Sequence, residues 1–241
     1  MSETEDAIET GIIYLIEGVG GFGLAPKVME GALRGAGVPH ELRHFHWSHG
    51  FGRWHADLTD AENFRRKASK LADSIMDFRT GNTGRPVFVV AKSGGTAVAL
   101  SATEQLPADS IERVVLLSPA VSPVYHLRPA LRAVRSDLTS FWSPRDKFIL
   151  GFGTSIFGTA DGLIGDAAGR VGFRLPAGVD ATSDADYRKL RQIEWDATMQ
   201  RAYNYGTHIG TSMPLFVRYY VAPLIGGRSD SDTTPAAGAS T

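Results

Sequence analysis

The run Pro86-Val-Phe-Val-Val-Ala-Lys-Ser93-Gly-Gly-Thr-Ala-Val-Ala-Leu100 constrains the fold more than any other stretch of the chain. Residues 87–90 are uninterruptedly apolar. A strand of that kind has both faces buried, which is the situation in a parallel sheet covered by helices on both sides. Small helix-compatible residues begin directly after Ser93, so the strand passes into a helix through a tight turn. Ala91 two positions before the serine and Gly95 two after it leave room for the reversal. Ser93 then stands at the strand's carboxyl end, the edge where open α/β sheets carry their sites.

The rest of the chain repeats this alternation. A strand over residues 12–16 precedes the glycine-rich Glu17-Gly-Val-Gly-Gly-Phe-Gly23 and a helix over 25–35. A second strand is expected at 41–47, then a helix capped by Asp60 and running to Arg79, ended by Gly81-Asn-Thr-Gly84. After the strand at 86–91 and the helix at 94–105 come strands at 113–118, 138–142 and 190–195, and a closing helix over 210–224. Such a pattern predicts an α/β fold: a mostly parallel central sheet of about six strands with helices on both faces, in a single domain over residues 11–225. The acidic residues 1–10 and the Ser-, Thr-, Ala-, Gly- and Pro-rich residues 226–241 read as flexible tails. Residues 151–169 break the rhythm, too glycine-rich for a helix and too apolar for a solvated loop. They read either as a packed irregular connection or as a wall beside the substrate, with Phe152, Ile156 and Phe157 facing it.

Composition narrows the function classes. With 241 residues, 43% of them hydrophobic, the chain can bury one sizeable core. A formal charge of −1 gives no electrostatic reason for a nucleic-acid or anionic-membrane partner, so a small neutral or apolar molecule fits better. The absence of cysteine excludes disulfides, thiolate nucleophiles and thiolate metal sites. The start lacks the basic-then-apolar order of a signal peptide, and no apolar run is long enough to span a bilayer; a soluble cytoplasmic protein is the expectation. The oligomeric state is left open.

A serine hydroxyl becomes a nucleophile when a base takes its proton, and that base needs an acid to fix its tautomer. Of seven histidines, only His208 lies near the end of the chain, in a loop after the last expected strand. Asp146, in Ser143-Pro-Arg-Asp146, follows the 138–142 strand by a short turn and is the first choice for the acid; Asp161, Asp166 and Asp196 are its rivals. The developing oxyanion needs backbone donors, for which the amides of Gly94 and of Val19, in the glycine-rich loop, are placed. Trp142, Phe152 and Phe157 are the expected pocket residues, pointing to an apolar acyl or aryl group. No cofactor is required.

Two other motifs compete. Gly18, Gly20 and Gly23 give the G-x-G-x-x-G spacing of a dinucleotide site, but no acidic residue closes the next strand near His44 to bind a ribose. His44-Phe-His46-Trp-Ser-His49 has H-x-H-x-x-H spacing suited to zinc, with His55 nearby, but Ser48 stands where the corresponding hydrolases carry aspartate.

Taken together, the strand and Gly-rich loop, Ala91-Lys-Ser93-Gly-Gly95, Asp146 and His208, in that order and at those element ends, resemble an α/β-hydrolase over roughly residues 11 to 225. The Ala-x-Ser-x-Gly elbow is similar to that of compact bacterial lipases without a long lid domain. The resemblance implies a serine esterase acting on a small-molecule ester through a Ser93-His208-Asp146 triad. Thioester hydrolysis, acyl transfer, haloperoxidase chemistry and C–C cleavage belong to the same scaffold, as do non-catalytic binding proteins. Glu17 stands where many members have histidine, and Lys92 where histidine or tyrosine is frequent.

Overall fold

The computed structural model describes residues 10–20, 23–53, 56–57, 60–146 and 166–226. The first strand, β1 (Ile12–Ile16), and the third, β3 (Val87–Lys92), are buried along their whole length, as the apolar runs 12–16 and 87–91 require; Lys92 is buried with the second of them. β2 (Glu41–Phe45) and β6 (Leu190–Glu194) are partly exposed and carry charged residues; they form the two edges. β4 (Ile111–Leu117) and β5 (Val134–Trp142) complete a six-stranded sheet of order β2-β1-β3-β4-β5-β6. Every neighbouring pair is parallel.

Helices cover both faces. α1 (Leu24–Gly35) and the closing residues of the chain bury Met29, Leu33, Phe216, Val217 and Val221 against one face of the sheet. α2 (Ala61–Gly81), α3 (Gly95–Thr103) and α4 (Arg128–Ala133) bury Ala68, Leu71, Ile75, Val98 and Leu131 against the other. Asp60 caps α2 by accepting a hydrogen bond from the Asn63 N–H at 2.8 Å. Among the described residues no helix is long and apolar enough to cross a membrane.

Two expectations need correction. The closing helix is not continuous: Gly210–Ser212 and Ala222–Ile225 are 3₁₀ turns, Pro214–Phe216 is α-helical, and Val217–Val221 is a π-helical turn. Pro214 and Pro223 lack the N–H that a regular ladder needs, so the helix must restart at each. Between Ser118 and Leu138, where no element was assigned, the chain carries a short helix and the start of the fifth strand. It forms α4, and β5 begins at Val134, four residues before the expected strand, with a register shift against β4 between Ile111 and Arg113. The expected tails (residues 1–10 and 226–241) and the glycine-rich 151–169 segment fall wholly or largely outside the described residues.

The chain adds β2 on one side of β1 and β3 on the other. This makes the crevice beyond the carboxyl ends of β1 and β3 the topological switch point of the sheet, where such folds hold ligands. Both the Gly-rich loop after β1 and Ser93 after β3 open onto it.

Candidate active site

Ser93 occupies the turn between β3 and α3 with φ of 51°, in the left-handed region that non-glycine residues avoid. The turn is held there from both sides. The Ser93 N–H donates to the Leu117 carbonyl at 3.0 Å, and the Ser93 carbonyl accepts from the Thr96 N–H at 3.0 Å. Close packing explains Gly95: a Cβ there would lie 2.2 Å from the Glu17 carbonyl oxygen, where α3 presses on the end of β1. Strain of this kind, about 1–3 kcal/mol, persists where the surroundings over-determine it.

The geometry brings together three residues from three loops. Ser93 Oγ lies 2.9 Å from His208 Nε2, and His208 Nδ1 lies 2.9 Å from Asp146 Oδ2. Asp146, in the turn after β5, is fully buried, while the His208 side chain keeps 11% exposure. A carboxylate oxygen accepts only, so Nδ1 carries the proton and Nε2 is left to accept from the serine hydroxyl. Burial lowers the pKa of His208 from its ordinary value and the Lys92 charge acts the same way, with Asp146 opposing both. The ring is therefore held neutral and ready to accept a proton.

Of the rival acids, Asp166 pairs with Arg170 at 2.6 Å on the surface, and Asp196 caps a 3₁₀ turn by accepting from the Thr198 N–H at 2.7 Å. Asp161 lies outside the described residues, as do Phe152, Ile156 and Phe157. Trp142 sets its indole against Gly172, whose Cβ would meet it at 3.4 Å.

The loop after β1 runs over the serine. A Cβ on Gly18 would come 3.1 Å from Ser93 Cβ, and one on Gly94 would come 2.8 Å from Val19 Cγ1 and 3.6 Å from Val19 N. The amides of Val19 and Gly94 are thus neighbours beside the hydroxyl, and neither has an acceptor among the described residues.

Asp57, which sequence reasoning did not single out, braces this loop together with His49 and Glu17. Asp57, 1% exposed, accepts from the Gly20 N–H through Oδ2 and from the His49 N–H through Oδ1, both at 2.7 Å. The His49 ring spans Asp57 Oδ1 at 2.9 Å and Asp60 Oδ2 at 3.0 Å. Glu17 accepts from the Gly23 N–H at 2.7 Å, and its carbonyl accepts from Trp47 Nε1 at 2.8 Å. The three histidines of the H-x-H-x-x-H motif each pair with carboxylates: His44 faces Glu30 at 2.9 Å and His46 faces Glu17 at 3.7 Å, while His49 takes the two aspartates. Among the described residues no group of three such side chains is arranged to hold a metal.

Lys92, the residue before the serine, is 5% exposed; its Nζ donates to the His208 carbonyl and, at 3.2 Å, to Thr211 Oγ1. Burial pushes its pKa down to about 8, against the pull of Asp146.

No protein-family model matches the sequence, and no curated protein matches it. Solved structures do. Lipase B of Aspergillus fumigatus superposes over 92% of this chain with a TM-score of 0.54 at 13% identity. A cutinase-like protein from Cryptococcus sp. does so over 92% with a TM-score of 0.50 at 12% identity. The chain has the α/β-hydrolase fold. It spans 54% of the length of the lipase structure and 99% of the cutinase-like one. In this α/β-hydrolase fold, the elbow serine, the turn after β5 and the loop after β6 all open at the carboxyl edge of the sheet.

Proposed function

We propose that the chain is a serine hydrolase that cleaves carboxylic esters of small or apolar acyl or aryl groups through an acyl-enzyme, without a cofactor. The observation that carries this reading is the continuous hydrogen-bonded path from Ser93 Oγ through His208 to Asp146, with 2.9 Å at each step. Ser93 Oγ attacks the ester carbonyl carbon as its proton passes to His208 Nε2. The carbonyl oxygen takes up the negative charge and is met by the Val19 and Gly94 amides. Asp146 stabilises the imidazolium. Collapse breaks the bond to the alkoxy oxygen, which leaves as an alcohol with the proton from Nε2. Water then attacks acyl-Ser93 with His208 as base, the carboxylic acid departs, and the serine is restored.

An apolar substrate is supported by the residue next to the base. Ile209, adjacent to His208 in the chain, is 67% exposed. An apolar side chain left in water beside the base favours an apolar group on the substrate. The two similar structures, a lipase and a cutinase-like protein, fit the same chemistry. Hydrolysis of p-nitrophenyl acetate and butyrate by wild type and Ser93→Ala tests the reading. Turnover by wild type that is abolished in Ser93→Ala is expected; equal rates would reject Ser93 as nucleophile.

A further inference from the structure

We infer that Lys92 is a positioning residue for the base: its buried ammonium holds the His208 loop to the strand that carries the nucleophile, and sets the charge that His208 meets from behind. The inference rests on the serine-hydrolase reading above and adds to it a fourth residue that acts through His208.

Lys92 ends β3 and Ser93 follows it in the left-handed turn, so the two side chains leave the backbone from different conformations. They nevertheless reach the same residue. Ser93 Oγ meets His208 at Nε2, and Lys92 Nζ meets it at the backbone carbonyl, across 116 residues of sequence. His208 is thereby gripped at both its ring and its backbone by two consecutive residues, the last of the fully buried β3 and the first of the turn after it. The second acceptor of the ammonium, Thr211 Oγ1 at 3.2 Å, lies one turn further along the same loop and is itself 3.2 Å from Ser118 Oγ at the end of β4. The clamp therefore ties the loop after β6 to both central strands.

A lysine is a costly choice for this place. Burying an ammonium carries a desolvation penalty that a methionine or leucine of similar size would avoid, and such replacements are often neutral or stabilising. Its position behind the base gives the charge a use. The titratable groups facing Lys92 are Asp146, from the turn after β5, and His208; Thr211 and Ser118 present neutral hydroxyls. Asp146 favours the protonated imidazole, and the nearby ammonium disfavours it. Burial does most to keep His208 neutral in the resting site, and Lys92 adds to it while Asp146 still orients the ring. Because burial brings Lys92 itself down to about 8, the clamp loses its charge on the mildly alkaline side and activity should fall there.

The test compares wild type, Lys92→Met, Thr211→Val and Ser93→Ala by thermal melting, by the pH dependence of kcat and KM on p-nitrophenyl acetate, and by NMR titration of the His208 ring. Lys92→Met should melt no lower than wild type at neutral pH and lose about 10- to 100-fold in kcat, as a displaced base does, with KM little changed. Its His208 should titrate at higher pH, and the alkaline limb near 8 should vanish. Thr211→Val keeps the lysine but removes one acceptor, so its alkaline limb should move to lower pH. An unchanged His208 titration in Lys92→Met overturns the inference whatever the esterase result. So does a loss of kcat that only follows a loss of melting temperature in both variants. Wild type no faster than Ser93→Ala overturns the hydrolase reading instead, and the NMR titration still decides the role of Lys92.

Discussion

Replacing Asp146 by asparagine removes a charge without removing volume, and the site converts that change into a tautomer switch. Asp146 is fully buried, and its Oδ2 sits 2.9 Å from His208 Nδ1. Asparagine can turn its amide N–H toward the ring, so that Nδ1 accepts and Nε2 carries the proton. Nε2 then donates to Ser93 Oγ across the 2.9 Å contact and can no longer take its proton. Enforcing the wrong tautomer in a Ser-His-Asp site costs about 10⁴-fold in kcat, or roughly 5.5 kcal/mol of barrier at about 1.4 kcal/mol per tenfold. Initial rates on p-nitrophenyl acetate, with circular dichroism to verify the fold, provide the assay. Asp166→Asn, which breaks only the exposed pair with Arg170, should leave the rate unchanged. A folded Asp146→Asn protein with full activity would refute the tautomer argument. Loss of activity in Asp166→Asn instead would assign the acid role there.

Other outcomes follow from the same geometry. Ser93→Gly should resist urea better than Ser93→Ala by about 1 kcal/mol, because both lose the hydroxyl but only glycine releases the left-handed strain at φ of 51°; equal stability would mean that the turn is unstrained. Asp57→Ala leaves the Gly20 and His49 amides without their acceptor, which should cost about 1–3 kcal/mol in unfolding free energy and lower kcat through a displaced loop after β1. Normal turnover in that variant would show that Val19 is held without it. The acid limb of kcat/KM should lie below the ordinary histidine value of 6.5, since burial disfavours the protonated ring. Activity is then retained as pH drops through 6.5 and lost only as it falls through the lowered value; a limb above 6.5 in the pH profile would contradict the burial argument.

The sheet was legible because burial on both faces leaves a direct trace in sequence. Ile12–Ile16 is the strand that its apolar run marks, and Val87–Lys92 differs from expectation by one residue at each end. Asp60 was readable as a cap because its acceptor role is local, satisfied by Asn63 three residues on. α4 escaped notice because its six residues, with Pro129 in the first turn, are too few to show a period. The order of Ser93, Asp146 and His208 was readable from their places at element ends. The braces around them were not. Asp57 serves an amide 37 residues away, and Lys92 a carbonyl 116 residues away; a backbone partner leaves no mark on the sequence at its own position. The H-x-H-x-x-H spacing, which Ser48 already argued against as a zinc site, left unread that each histidine meets a carboxylate on a different segment.

The most direct test of the central claim, that Ser93 is an activated nucleophile, is labelling by a fluorophosphonate probe followed by intact mass and peptide mapping, on wild type and Ser93→Ala. The account predicts one adduct, on Ser93, formed by wild type and absent from the variant. Folded wild-type protein that forms no adduct, or forms it on another residue, would contradict it.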